Sequence, residues 1–245
     1  MVVCTSESEV AARRDRESIP RALGRETAKV DRRYCAAPMF DATSDRQVDS
    51  WLSPRERSEF AVWRDSRRRR AWLMGRMLGK QLVAANLADA LPSMSIEILS
   101  LTGAGRGTRP RIWCDGVEQS WSLSVSHTHR GVLAALCMKE GISIGVDVVA
   151  AKTFSDGFVQ LWFTPAEQAW FRDAQCSQIA CFIWAAKEAL YKACNDGESF
   201  APRNIEVLPD GQCSYRQVPL QDHGLQSWSI DGQIAVMATA TIGRK

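Results

Sequence analysis

The chain has 245 residues, of which 45% are hydrophobic and 24% charged. That is ordinary for a globular protein and excludes a disordered or collagen-like chain. No run approaches the roughly 20 apolar residues of a membrane helix, and a formal net charge of +3 is too small by itself to imply a nucleic-acid partner.

Residues 1–45 show weak apolar periodicity and many charges, which predicts an irregular or partly helical extension, mobile relative to the rest. Asp49–Phe60 reads as a short helix with Ser53-Pro54 at its start and Glu56 behind the cap. A longer helix is predicted over Asp65–Leu91, where Trp72, Leu73, Met77, Leu78, Leu82, Val83 and Leu87 recur at three- and four-residue spacing, and Pro92 ends it. Strands follow at Ser95–Leu99, Trp121–Ser126, Gly131–Met138 and Ile142–Val149. Between them a glycine-rich loop, Gly103–Gly107, runs into Thr108-Arg109-Pro110, and His127–Arg130 suggests a hairpin turn. Helices are predicted at Pro165–Arg172 and Gln178–Cys194, then strands at Asn204–Leu208, Ser227–Ile230 and Ile234–Thr241. The segment from Trp121 through Cys137 is weakly echoed by Trp228 through Thr239, which suggests two related α+β subdomains.

The charge is uneven. Residues 1–80 carry 18 Lys/Arg against 12 Asp/Glu, and Arg64–Lys80 alone holds seven bases and one acid. Such a patch invites a phosphate-bearing ligand or an acidic partner, or is simply a solvated helix face. The eight cysteines form no Cys-x-x-Cys pair and several sit in apolar stretches, so a reducing, cytoplasmic setting is expected.

Four constellations carry chemistry. In Ile144-Gly145-Val146-Asp147-Val148-Val149, an acid within an apolar strand is costly unless paired, hydrogen-bonded or bound to a metal. Capping and metal ligation stay equally open for Asp147. Gly145 leaves room for close approach by a ligand. In the helix around Trp184-Ala-Ala-Lys187-Glu188-Ala-Leu-Tyr191-Lys192, Glu188 and Lys192 lie on one face, either as a surface pair or as part of a site among aromatics. Ser124-Val-Ser126-His127-Thr-His129 places two histidines on one side of a strand, but no third His or nearby Cys completes a zinc site. His223 sits in a polar stretch read as loop. Arg67–Arg70, Arg76 and Lys80, with Arg109 near the glycine-rich loop, suit phosphate through the arginine fork.

In order, Trp72-Leu-Met-Gly-Arg76, Arg109-Pro110, Ser126-His127, Gly145-Val-Asp147 and Trp184-Ala-Ala-Lys187-Glu188-Ala-Leu-Tyr-Lys192 resemble the phosphopantetheinyl transferase superfamily, surfactin-synthetase type. The paired signatures are Gly-[Ile/Val]-Asp and Trp-x-x-Lys-Glu-[Ala/Ser]-x-x-Lys. The resemblance spans Trp51 to Thr241. It implies an α+β monomer of two similar α/β subdomains related by pseudo-twofold symmetry, with the active site at their interface. The expected division is 1–45 as extension, 46–143 and 144–245 as subdomains. It implies a holo-carrier-protein synthase that moves the phosphopantetheine arm of coenzyme A onto a serine of an acyl or peptidyl carrier protein. Neither nucleic acid nor membrane is an expected partner.

By the same resemblance, Asp147 and Glu188 would hold Mg2+, which prefers one or two carboxylates with substrate phosphates and waters. His127 and Lys192 would meet the pyrophosphate, with Glu188, Lys192 and His127 as the catalytic set. Arg57, Arg76, Arg109, Pro110, Ser126 and Lys187 would complete the coenzyme A contacts, Arg109 at the 3′-phosphate or adenine edge. Two departures stand out. Many relatives carry a second acid where this chain has Val149, which shifts the proposed base to Glu188. Val149→Glu is expected to be tolerated or mildly activating if the site keeps the family's geometry. Asn195 replaces a common glycine after the motif helix, and a left-handed conformation is expected there. The alternative is a catalytically impaired relative that binds coenzyme A or a carrier protein.

Overall fold

The computed structural model describes Pro20 and residues 22–24, 29–36, 45–88, 91–101, 107–174, 176–195 and 197–241. The elements in chain order begin with strands β1 (Ala22–Gly24) and β2 (Asp31–Ala36) and helices α1 (Asp45–Trp51), α2 (Pro54–Val62) and α3 (Ser66–Asn86). A 3-10 turn (Ser93–Ser95) leads to β3 (Ile96–Leu101), β4 (Gly107–Cys114), β5 (Val117–Gln119), β6 (Ser122–His127), β7 (Gly131–Cys137) and β8 (Ile142–Ala150). Helices α4 (Asp156–Trp162), α5 (Pro165–Ala174) and α6 (Ser177–Cys194) follow. A second 3-10 turn (Pro202–Asn204) opens β9 (Ile205–Val207), β10 (Cys213–Tyr215), β11 (Val218–Pro219), β12 (His223–Ile230) and β13 (Gln233–Thr241). The sheets run β1-β12-β13-β8, β2-β7-β6, β3-β4-β5 and β11-β10-β9, and the paired strands are antiparallel. This mixture of helices and small antiparallel sheets is an α+β fold. Among the described residues no helix is long and apolar enough to cross a membrane.

Local chemistry explains the helix starts. Ser53 caps α2 in a reciprocal box with Glu56, and Pro54 opens the helix because it has no amide proton to leave unpaired. The helix expected over Asp49–Phe60 is therefore two helices: buried Leu52 and the Ser53 cap interrupt it. Asp65 caps α3 by accepting from the Arg68 amide at 2.8 Å. Helix α3 ends at Asn86 rather than Leu91.

Alternation along β7 and β8 decides the layering. Val132, Ala134 and Leu136 share a core with Met74, Leu78 and Leu82 of α3. Leu133, Ala135 and Cys137 share a second core with Ile144, Val146 and Val148. The other face of β8 contributes Val149 to a third core with α6. The apolar layers thus pass from α3 through β7 to β8 and on to α6. The open edge of β8 meets β6 through side chains. The amides of Ile144, Val146 and Val148 donate to the hydroxyls of Ser122, Ser124 and Ser126 at 3.0, 2.9 and 3.3 Å. Both sets have period two, so one serine serves each inward amide.

Several expectations are corrected here. The stretch read as an irregular extension contributes β1, paired with β12, and β2, paired with β7. These strands cover sheet edges that would otherwise expose unpaired backbone, and Arg32 stacks over Trp228 at 4.2 Å. Thr108-Arg109-Pro110 lies within β4, while residues 102–106 of the predicted loop fall outside the described residues. His223 is a buried strand residue, with ring nitrogens 2.8 Å from Leu220 O and 3.0 Å from Gly211 O. Asn195 has φ −63°, not a left-handed value. Its side-chain oxygen accepts from the amides of Gly197 and Glu198, and Gly197 takes the positive φ of 101°.

Candidate active site

The site begins at Gly145. A Cβ there would lie 1.9 Å from Ala189 O and 2.8 Å from Ala193 N. The glycine therefore admits the backbone of α6, not a ligand, against β8. Two residues along the same face of β8 stands Asp147, 5% exposed. Helical spacing brings Glu188 and Lys192 over it together. Lys192 Nζ donates to Asp147 Oδ1 at 2.8 Å and to Val146 O at 2.9 Å, and lies 3.8 Å from Glu188 Oε2. Ser126 Oγ donates to Asp147 Oδ1 at 2.7 Å.

Glu188 is pushed up to about 7, first by burial and then by the Asp147 charge, against the pull of Lys192 and the Trp184 indole N–H. The two carboxyls adjoin, so charging both at once is disfavoured. His127 has an exposed rim, yet protein crowding one face lowers its pKa, with Lys192 and Arg68 adding to the effect and Asp147 opposing it. The imidazole is therefore mainly neutral at pH 7.

Beside these residues opens a cavity of about 550 Å³. Its walls come from α3 (Trp72, Gly75, Arg76), β4 (Thr108, Arg109, Pro110), β6 (Ser124, Val125, His127) and the end of α6 (Tyr191, Lys192), with Arg68 also lining it. Two cations in this wall are already engaged. Arg76 is 4% exposed, pairs with Glu59 at 3.2 Å, donates to Ser100 Oγ and stacks on Trp72 at 4.3 Å. Arg109 reaches across to the end of α6 and donates to Ala193 O and Asn195 O, both at 2.9 Å.

Asp147, Glu188, Lys192 and Ser126 come together, and His127, Arg76, Arg109 and Pro110 line the adjoining cavity with Lys192. Two residues implied by the resemblance do not join them. Arg57 pairs with Asp49 at 3.2 Å, both exposed, away from the cavity lining. Lys187 is fully buried, pairs with Glu167 at 2.6 Å and donates to Trp162 O and Pro202 O. Its ammonium is turned to Glu167 rather than to the cavity, since successive helical residues are splayed by about 100° and Lys187 and Glu188 cannot point together. Ser126 serves Asp147 directly and is absent from the cavity lining. Sequence reasoning missed Ser124 as a lining residue, although its two-residue spacing from Ser126 was the available signal. It had no signal for Ser100 or Trp63, which reach the cavity from separate elements. His129 sits in the turn after β6, away from the strand that carries His127. Among the described residues no group of three His, Cys, Asp or Glu side chains converges.

Residues 143–240 match the family model of the 4′-phosphopantetheinyl transferase superfamily. No curated protein matches the chain significantly. The matched segment covers less than half of the chain, from β8 into β13, and leaves α3 and β4 outside. It includes the face of β8 that carries Asp147 and the face of α6 that carries Glu188 and Lys192. The similarity to the 4′-phosphopantetheinyl transferase superfamily therefore rests on the β8–β13 segment, which carries these three side chains.

Proposed function

We propose that the protein transfers the 4′-phosphopantetheine arm of coenzyme A to a serine of an apo acyl or peptidyl carrier protein in the cytoplasm. The observation that carries this reading is the Asp147–Glu188 carboxylate pair, bridged by Lys192 at the edge of a cavity with Arg76, Arg109 and His127 on its walls. A polyanion entering that cavity meets guanidinium groups suited to phosphate oxygens.

The donor set fits Mg2+. Two adjoining carboxylates, with positions left for phosphate oxygens and water, are the ligands this hard cation takes. Asp147 and Glu188 would hold it, and its chemistry would be to neutralise charge that develops on the pyrophosphate. The chain's own groups do the rest. Lys192 lies within reach of both acids and presents its ammonium at the cavity edge. Neutral His127 offers a ring N–H to a phosphate oxygen. With Val149 apolar, Glu188 is the carboxylate beside Asp147 and takes the proton of the attacking serine.

The test is mass spectrometry of an apo carrier protein incubated with coenzyme A, Mg2+ and this protein. A gain of one phosphopantetheine arm is expected. Coenzyme A binding without transfer identifies an impaired relative, and neither binding nor transfer overturns the reading.

A further inference from the structure

Two buried lysines stand outside the chemistry just described, and their surroundings correspond bond for bond. In the first half, Ser53-Pro54 opens α2 and Glu56 accepts from the Ser53 amide and from the Ile98 amide of β3, both at 3.0 Å. Lys80 of α3 pairs with Glu56 at 2.6 Å and donates to Trp51 O at 2.5 Å and Ser93 O at 2.8 Å. In the second half, Thr164-Pro165 opens α5 and Glu167 accepts from the Thr164 amide at 2.8 Å and the Val207 amide of β9 at 2.9 Å. Lys187 of α6 pairs with Glu167 at 2.6 Å and donates to Trp162 O at 3.1 Å and Pro202 O at 3.0 Å. Trp51 and Trp162 each precede the cap by two residues. Ser93 and Pro202 each open the 3-10 turn before the strand.

The two halves differ one rung along. Arg76 sits four residues before Lys80 and pairs with Glu59, three residues after Glu56. The corresponding places around the second lock hold Ile183, buried in apolar core, and Trp170, packed against that core. The polar rung occurs where the cavity lies, and the lock occurs in both halves. Each lock ties the longest helix of its half to a helix start, a 3-10 turn and a strand, and so fixes that helix in rotation.

We propose that Lys80 and Lys187 are positioning residues with separable effects. Lys187, one residue before Glu188, sets the rotation of α6 and therefore the reach of Glu188 and Lys192 to Asp147. Lys80 sets α3 and therefore Trp72 and Arg76 in the cavity wall. The kinetic part of this inference rests on the transferase reading.

The test removes each lock whole, because deleting one partner would strand a buried charge. The variants are Glu167→Gln with Lys187→Met, and Glu56→Gln with Lys80→Met. Coenzyme A affinity is measured by calorimetry and turnover on apo carrier protein at saturating coenzyme A. Loss of the second lock is expected to lower turnover about tenfold or more, the scale of small misplacements at a reacting centre, with affinity changed less than about twofold. Loss of the first is expected to weaken affinity about tenfold with little change in turnover, the pattern of lost uniform binding. Equal losses of both quantities in both variants, or no loss in either, overturn the proposal. Amide hydrogen exchange gives a readout independent of activity. Protection should fall in α6 alone for the one variant and in α3 alone for the other, and exchange raised in both helices by either variant overturns it. If a double variant does not fold, Lys187→Arg and Lys80→Arg keep the charge but misfit the carbonyls, and the same split is expected. Should the wild-type protein bind coenzyme A without transferring it, the transferase reading fails while affinity and exchange still test the locks.

Discussion

Arg109 shows how one side chain can serve two purposes. Its guanidinium holds Ala193 O and Asn195 O, the unsatisfied carbonyl end of α6, where a cation is also favoured by the helix dipole. One residue before Ala193 is Lys192, bonded to Asp147. A pure substrate contact at Arg109 would raise the coenzyme A Michaelis constant and leave turnover alone. Because Arg109 also anchors α6, Arg109→Ala should lower both turnover and coenzyme A affinity. Each should fall about tenfold, the scale of a lost charged hydrogen bond. Steady-state kinetics alongside calorimetry checks this, and unchanged turnover at saturating coenzyme A would assign Arg109 to binding alone. Asp147 shows the same economy: Ser126, Lys192 and Glu188 all converge on it, so its cost of burial is met by hydrogen bonds and an opposite charge.

At the scale of elements, the contact between β8 and α6 places the acids, and Gly145 is what permits it. Gly145→Ala should lower stability by about 3 kcal/mol or more, beyond ordinary overpacking, because the clash is with backbone that cannot rotate away. Gly157 in α4 is the control. A Cβ there meets nothing within 4 Å, so Gly157→Ala should change stability by less than about 1 kcal/mol, in the stabilising direction. Urea denaturation of both variants distinguishes a local contact from a general sensitivity to added methyl groups. The same face of β8 corrects the expectation for Val149→Glu. Val149 is 8% exposed within the core that includes Phe154, Phe163 and Phe182. A carboxylate there would be desolvated among rings, and the variant should lose about 2 kcal/mol or more. A melting temperature equal to wild type, together with raised turnover, would show instead that the acid reaches Asp147 and Glu188.

Across the whole molecule, the two halves meet through backbone-to-side-chain bonds more than through a shared ladder. Serine hydroxyls of β6 take the amides of β8. At the far end, Tyr34 of β2 joins the two hairpin turns by donating to Arg130 O at 3.2 Å and accepting from Gln233 at 3.0 Å. Arg130 in turn donates to Asp231 O at 3.1 Å. Replacing Ser122 and Ser124 together by alanine would leave two buried amides without acceptors. The expected cost is about 1–3 kcal/mol for each, read from urea denaturation. A change below about 1 kcal/mol in total would mean that water or the backbone takes over.

Patterns within a few turns of chain were legible before the fold was known. Helices α3 and α6 follow from apolar spacing, strand β6 from alternation, and strands β7, β8 and β13 from apolar runs. The pairing of Glu188 with Lys192 follows from helical geometry, and the candidacy of Asp147 from the cost of a charge in an apolar strand. These signals are local, so the sequence by itself determined them. Edge strands β1 and β2 were not legible, because an edge needs little apolar character and is specified by the strand it covers. The burial of Lys187 was not legible either. Its neighbour Glu188 is of similar polarity, and only the carboxylate of Glu167 and the carbonyls of Trp162 and Pro202, brought from two other segments, decide which of the two turns inward. Gly145 reads in the sequence as room for a ligand, and only α6 in place shows that it admits a helix backbone instead. The tertiary structure alone decided these points, because each depends on partners distant along the chain.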